Sequence, residues 1–305
     1  MSLARTTILA ASQNSGVRRF VSAYGMRLGA ARFVGGETLD ECVRVLRRLN
    51  DRGLAANITL LGEDVATEAE ARAVAGEYTR ILDRIQAEGL RVNVALKLTH
   101  LGLEVGEDLA YENLCRVVDH ARSLGNFVRI DMEYSSLVDA TLQTYRRLRE
   151  SGFDNVGTVL QSYLYRSEGD LEDLLPLRPN LRLVKGAYLE PAEVAYPHKE
   201  DVDASYVRLL ERSLRGEGYT AIATHDERLI EHAVAFAARR EISRDRFEFQ
   251  MLYGVRPQLQ LALASRGYKV LVATPYGPEW FPYLMRRLAE RPANVLFFAR
   301  NLVRR

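Results

Sequence analysis

From about residue 50 onward, short runs of apolar, β-branched residues alternate with longer charged stretches of helical spacing. The runs are "AANITLLG", "RVNVALKL", "FVRIDME", "VGTVLQSY", "LRLVKGAY", "TAIATHD", "FEFQMLYG" and "YKVLVATPYG". Such runs, bounded by turn residues, read as strands buried on both faces, and a helical segment between consecutive runs makes each pair a βα unit. Helices are predicted over 67–88, 109–124, 137–149, 204–215, 227–239 and 257–265. Eight units favour an α/β fold closed into a (βα)8 TIM-like barrel over an open doubly wound sheet. Upstream, "GVRRFVSAYGMRLGAARFV" has an amphipathic pattern. Residues 1–50 are therefore expected to form a helical segment packed on a barrel of residues 51–305, one domain overall.

A length of 305 residues, 47% of them hydrophobic, suffices for one large barrel and requires no second domain. The formal charge of +2 is spread as interleaved acids and bases, which gives no case for nucleic acid and leaves small molecules as the partners. Cys42 and Cys115 form neither a CxxC pair nor a disulfide framework, so a reducing compartment fits. The five histidines lack ligand spacing, and no metal is expected. Five arginines and no acid in the first 36 residues suit a transit peptide, a helix on an anionic membrane or an ordinary helix of the fold. No apolar stretch is long enough to span a bilayer.

In a barrel of this kind the chemistry sits at the C-terminal ends of the strands. The polar residues there are Glu63, Lys97, Asp131, Glu133, Gln161, Tyr163, Lys185, Tyr188, His225, Asp226, Gln250, Tyr253 and Tyr276. Arg182 lies earlier in its strand, and a charge there must leave the barrel layer or find a partner inside. Lys97 and Lys185 suit a Schiff-base lysine, an electrostatic cation or a salt bridge, with Asp131 a candidate partner for Lys97. Rossmann, Walker, HExxH and nucleophile-elbow motifs are absent. Near the end of the chain, Tyr283, Arg286, Arg287 and Glu290 share one helical face. That face reads either as a solvated surface or as a clamp for a carboxylate or phosphate.

The motifs "VALKL", "RIDMEYSS", "TVLQSYLYRS", "LRLVKGAYLEPAEVAYP", "IATHDERLIE", "FEFQMLYG" and "PYLMRRLAERPAN" together closely resemble the proline dehydrogenase family in its monofunctional bacterial form. The likeness runs from "RFVGGETLDE" to the C-terminus. It implies a distorted barrel that holds FAD without a Rossmann fingerprint, N-terminal helices, and a final helix over the barrel mouth. The implied reaction is oxidation of L-proline to 1-pyrroline-5-carboxylate, the first step of proline catabolism, with electrons passed to a membrane quinone. A cytoplasmic location with peripheral contact on the inner face of the cell membrane goes with it.

By the same resemblance, Arg286, Arg287 and Lys97 would bind the proline carboxylate, with Tyr283 against the ring and Tyr188 walling the site. Arg182 would lie near flavin N5 and Asp131 would order the pocket beside Lys97. Gln161 and Val184 would touch the isoalloxazine, and Gly186 with Ala187 would admit the cofactor close to the backbone. Thr224 and His225 would meet its phosphate and ribose region, Glu290 would reach it from the last helix, and Glu63 would pair with Arg286 as a gate. Many relatives carry a tyrosine, associated with discrimination against hydroxyproline, where this chain has Ala273; Tyr276 is a candidate to fill part of that space. A hydroxyproline-type substrate and a flavin-free lysine aldolase whose arginines hold a phosphate are the competing readings, along with a non-catalytic binding module.

Overall fold

The computed structural model describes residues 30–62 and 65–290, with 286–290 as backbone only. Eight parallel strands, β1 (Ala55–Leu60), β2 (Val92–Leu96), β3 (Val128–Ile130), β4 (Val156–Gln161), β5 (Asn180–Val184), β6 (Tyr219–Ala223), β7 (Phe247–Leu252) and β8 (Val270–Tyr276), form a closed barrel in sequence order. It closes where β8 pairs with β1, in register from Ala55 opposite Leu271 to Leu60 opposite Tyr276. All eight predicted strands are present.

The helices are α1 (Leu39–Asp51), α2 (Glu68–Ala87), α3 (Glu107–Ser123), α4 (Val138–Glu150), α5 (Ser167–Leu174), α6 (Lys199–Arg215), α7 (Glu227–Arg239), α8 (Pro257–Ser265) and α9 (Trp280–Glu290). Both α1 and α2 open with capping boxes, Thr38 with Glu41 and Thr67 with Glu70, which satisfy amide donors that a helix start leaves unpaired. Each such cap stabilises its helix by about 1 kcal/mol. The short α5 was not predicted from the sequence. Its "SEGDLEDL" has only two leucines to mark a helical period, and it is held by packing on α6 and β4. Of the expected N-terminal helical segment, residues 1–29 lie outside the described residues. α1 packs on β1 and β8.

Along each strand, alternate side chains point outward to the helices. Ile58, Leu96, Ile130, Leu160, Leu183, Ile222, Phe249 and Val272 make the sheet side of the main hydrophobic core. A second cluster seats α9: Trp280, Phe281, Leu284 and Met285 bury themselves against Ala30, Phe33, Val34 and Val255. Trp280 Nε1 donates to Glu37 Oε1 at 2.7 Å. Two backbone bonds, Gly35 N to Pro275 O at 2.7 Å and Gly277 N to Gly36 O at 3.0 Å, tie the same loop to the end of β8. The final helix is thus anchored from two sides. Among the described residues, no helix is long and apolar enough to cross a membrane.

Candidate active site

The side chains that point inward share one cavity of about 810 Å³ at the C-terminal mouth. Asn57 and Thr59 of β1, Val159 and Gln161 of β4, Arg182 and Val184 of β5, Gln250 and Leu252 of β7, and Ala273 and Pro275 of β8 line it two by two, as the strand period requires. Lys97 and Asp131 enter just past the ends of β2 and β3. Tyr188, on the loop after β5, and Tyr283, on α9, complete the walls. The volume falls in the ~300–1,000 Å³ range of small-molecule sites.

Arg182 is buried, and its partners lie inside the barrel. Its Nη1 pairs with Asp131 Oδ1, and its Nε donates to Gln250 Oε1 at 2.6 Å. Its Nη2 has no protein partner among the described residues, and neither does Gln161 Oε1. Gln161 is otherwise fixed by donating through Nε2 to Glu133 O at 3.1 Å. Among the residues that line the cavity, Arg182 Nη2 is thus a buried donor, and Gln161 Oε1 and Asn57 Oδ1 are buried acceptors, without a partner among the described residues, and leaving each unmet costs roughly 1–3 kcal/mol.

The expectation that Asp131 partners Lys97 is corrected by this arrangement. Asp131 is engaged by Arg182, and Glu133 is a carboxylate beside Lys97 among the described residues, at 3.9 Å. Glu133 also accepts from Thr99 N at 3.2 Å and Thr99 Oγ1 at 2.8 Å. Burial pushes its carboxyl above the usual range, against the opposing pull of Lys97 and Thr99. The group therefore holds its proton to higher pH in the folded than in the unfolded chain. The cost of ionising it is absent below pH 4.5 and grows as pH rises through the raised value. Urea unfolding of wild type and Glu133→Gln should accordingly show the difference moving in favour of the variant as pH increases from 4.5.

At the rim, Lys185 bridges Asp203 at 2.5 Å and Asp226 at 3.3 Å. Burial alone would raise both carboxyls, but the hydrogen bonds from Lys185, joined at Asp203 by Lys199, outweigh it and hold them below their usual range. This is the salt-bridged arrangement for Lys185, not that of a free amine nucleophile. His225 Nε2 accepts from Leu252 N at 3.0 Å, which puts the proton of a neutral ring on Nδ1. Asp226 N donates to Thr224 Oγ1 at 3.1 Å. Arg256 donates to His225 O at 2.9 Å from a left-handed backbone of φ 52°.

Gly186 has φ 115°, and a side chain there would collide with the Tyr163 ring. The glycine expected to admit a cofactor is thus required first by the turn over Tyr163. The expectation that Tyr276 fills the space beside Ala273 is overturned by strand alternation. Ala273 and Pro275 face the cavity, whereas Tyr276 points outward and donates to Glu77 Oε1 on α2 at 3.2 Å.

Lys97, Asp131, Gln161, Arg182, Val184, Gly186, Ala187, Tyr188, Thr224, His225 and Tyr283 all line the one cavity. Glu63 and the side chains of Arg286, Arg287 and Glu290 lie outside the described residues. The sequence reading missed Arg129 and Glu248, which are buried inside the barrel. Both stand two positions before cavity residues, Asp131 and Gln250, so the strand period would have found them. Lys199, Arg228 and Arg256, also at the cavity, come from loops and helix starts that carry no such signal.

A closed (βα)8 barrel whose mouth gathers lysine, arginine and carboxylate groups, Arg182 among them buried, in one deep cavity defines an enzyme of the barrel class. The family model for proline dehydrogenase matches residues 42–300. The chain is 44% identical to proline dehydrogenase 1 of Bacillus subtilis, over 99% of both chains, and 45% identical to proline dehydrogenase of Deinococcus radiodurans, over 90% of both. It superposes on the crystal structure of proline utilization A from Bdellovibrio bacteriovorus with a TM-score of 0.82 and 26% identity, covering 94% of this chain and 36% of that one. The chain belongs to the proline dehydrogenase family.

Proposed function

We propose that this chain oxidises L-proline to 1-pyrroline-5-carboxylate with FAD as cofactor and a quinone as the final electron acceptor. The observation that carries the cofactor is the presence, on residues that line the cavity, of buried polar atoms without a partner among the described residues, Arg182 Nη2 and Gln161 Oε1 among them. A flavin ring, with acceptors and an imide donor along its edge, matches a buried donor and a buried acceptor together. When bound, FAD supplies the two-electron acceptor for hydride from the ring carbon next to nitrogen that does not bear the carboxylate.

The protein's own groups supply binding, orientation and electrostatics. Arg182, fixed on two edges, presents a guanidinium that stabilises negative charge gained by the acceptor. Lys97 contributes a cation to the wall. Arg286 and Arg287 follow Tyr283 by one turn of α9, which supports assigning them to the substrate carboxylate. Cations around the substrate amine favour its neutral form, which is the form that can give up hydride. Thr224, His225 and Arg256 at the rim suit the cofactor's phosphates. Quinone use and peripheral membrane contact go with this reading. Residues 1–29 of the basic segment that suggested the contact lie outside the described residues.

One observation favours a second substrate. Ala273 offers only a methyl group to the cavity and Tyr276 is committed to Glu77, so neither carries a large side chain into it, which supports room for a 4-hydroxylated ring. An anaerobic visible titration of the purified protein with L-proline, repeated with trans-4-hydroxy-L-proline, tests both readings. Bleaching of a flavin band by proline is expected, with hydroxyproline bleaching it as well. A colourless protein that FAD cannot reconstitute sinks the flavoenzyme reading, and bleaching by proline alone removes the second substrate.

A further inference from the structure

We propose that Glu248 is a positioning residue for Arg182, acting through the side-chain amide of Gln250. The proposal rests on the reading above that places Arg182 at the cofactor.

Barrel interiors are ordinarily filled by branched apolar side chains. Here a polar chain runs from the interior to the exposed Lys269. Arg182 Nε donates to Gln250 Oε1 at 2.6 Å, Gln250 Nε2 donates to Glu248 Oε1 at 2.6 Å, and Lys269 Nζ lies 2.9 Å from Glu248 Oε2. Glu248 is 3% exposed, and its strand position, two before Gln250, puts both side chains on the inner face of β7.

The direction of the chain follows from the donor inventory. An ionised carboxylate only accepts, so the Gln250 amide must turn its NH₂ toward Glu248 and thereby its oxygen toward Arg182. The opposite orientation would set NH₂ against the Arg182 N–H and oxygen against the carboxylate. With Asp131 on Nη1 and Gln250 on Nε, the guanidinium plane is fixed, and Nη2 is the buried nitrogen without a partner among the described residues. A glutamine at 248 would both donate and accept, so it would no longer select one amide orientation.

Charge gives a second reason for a carboxylate at this position. Arg129, also inside the barrel, donates to Thr158 O at 2.9 Å and to Asn180 O at 2.6 Å. Burial, followed by the repulsion of Arg182, brings its pKa down to about 9, while Glu248 and Asp131 oppose that shift. The interior therefore balances two guanidinium groups against two carboxylates.

The test is a double-mutant cycle on the holoenzyme with Glu248→Gln and Arg182→Lys. Its readouts are the limiting rate of flavin reduction by proline, KM, and the visible spectrum of the oxidised flavin without substrate. Loss of one hydrogen bond to a charged group should slow Glu248→Gln about tenfold, leave KM unchanged and shift the flavin bands. In the Arg182→Lys background the same change should add nothing. Gln250→Met keeps the Glu248 charge and cuts the relay between it and Arg182, removing both the acceptor for Arg182 Nε and the donor to Glu248 Oε1. It should reproduce the effect, and it carries the test if Glu248→Gln does not fold. Wild-type rate and spectrum in the single variants, or effects that multiply in the double variant, overturn the relay alone. An Arg182→Lys variant with wild-type rate and spectrum overturns the placement of Arg182 at the cofactor, and the relay with it.

Discussion

Replacing Arg182 by methionine is expected to slow flavin reduction by proline by about 10²–10³-fold, the usual cost of removing one preorganised donor from a site of developing charge. The side chain lies among three polar neighbours: Asp131, Gln250 and, further off, Arg129. Methionine fills most of its volume, so the loss is chemical and not a void. Breaking a buried pair strands the partner, at roughly 3–5 kcal/mol for a fully buried charge. Asp131 keeps some exposure toward the cavity, and Arg129 is relieved of a like charge, so about 2 kcal/mol of lost stability is the expected net. Stopped-flow reduction gives the first quantity and urea unfolding the second. A variant that reduces at the wild-type rate would remove Arg182 from the chemistry, whatever its stability.

The second large effect is expected from Trp280→Ala. The indole is almost wholly buried at the centre of the cluster that seats α9, and truncating a buried tryptophan costs ~3–5 kcal/mol. The indole N–H bond to Glu37, which ties α9 to the loop before α1, is lost as well. Because α9 brings Tyr283 to the cavity, the damage should extend to binding, with a raised KM for proline accompanying a lowered unfolding midpoint. Glu37→Gln separates the two contributions, since it keeps an acceptor for the indole and leaves the packing intact. That variant should stay within about 1 kcal/mol of wild type, as expected for a neutral bond replacing a charge-assisted one. If Trp280→Ala unfolds at the wild-type midpoint, the second cluster does not hold the helix.

Much of the site was legible because a barrel turns strand period into position. Arg182 and Val184 are two apart in "LRLVKGAY", and both reach the cavity for the reason that Leu181 and Leu183 reach the helices. The same period answered the open question about Ala273 and Tyr276, one inward and one outward. It would also have found Arg129 and Glu248, which the search for strand-end residues passed over. Partners were another matter. Asp131 and Glu133 both follow β3, and the sequence reading offered Asp131 to Lys97; only the tertiary placement of Arg182 on β5 assigns that carboxylate to the arginine and puts Glu133 beside Lys97.

By itself, then, the sequence determined the eight βα units, the inward and outward faces of each strand, and the set of polar groups gathered at the barrel mouth. These depend on local spacing, which a chain carries wherever it folds. The closure of β8 on β1, the seating of α9 by Trp280 and Glu37, and the pairing of Arg182 with Asp131 and Gln250 were decided by tertiary structure alone. Each joins residues many positions apart, and which of several eligible charges meet is fixed by strand order and shear, quantities that no local pattern encodes.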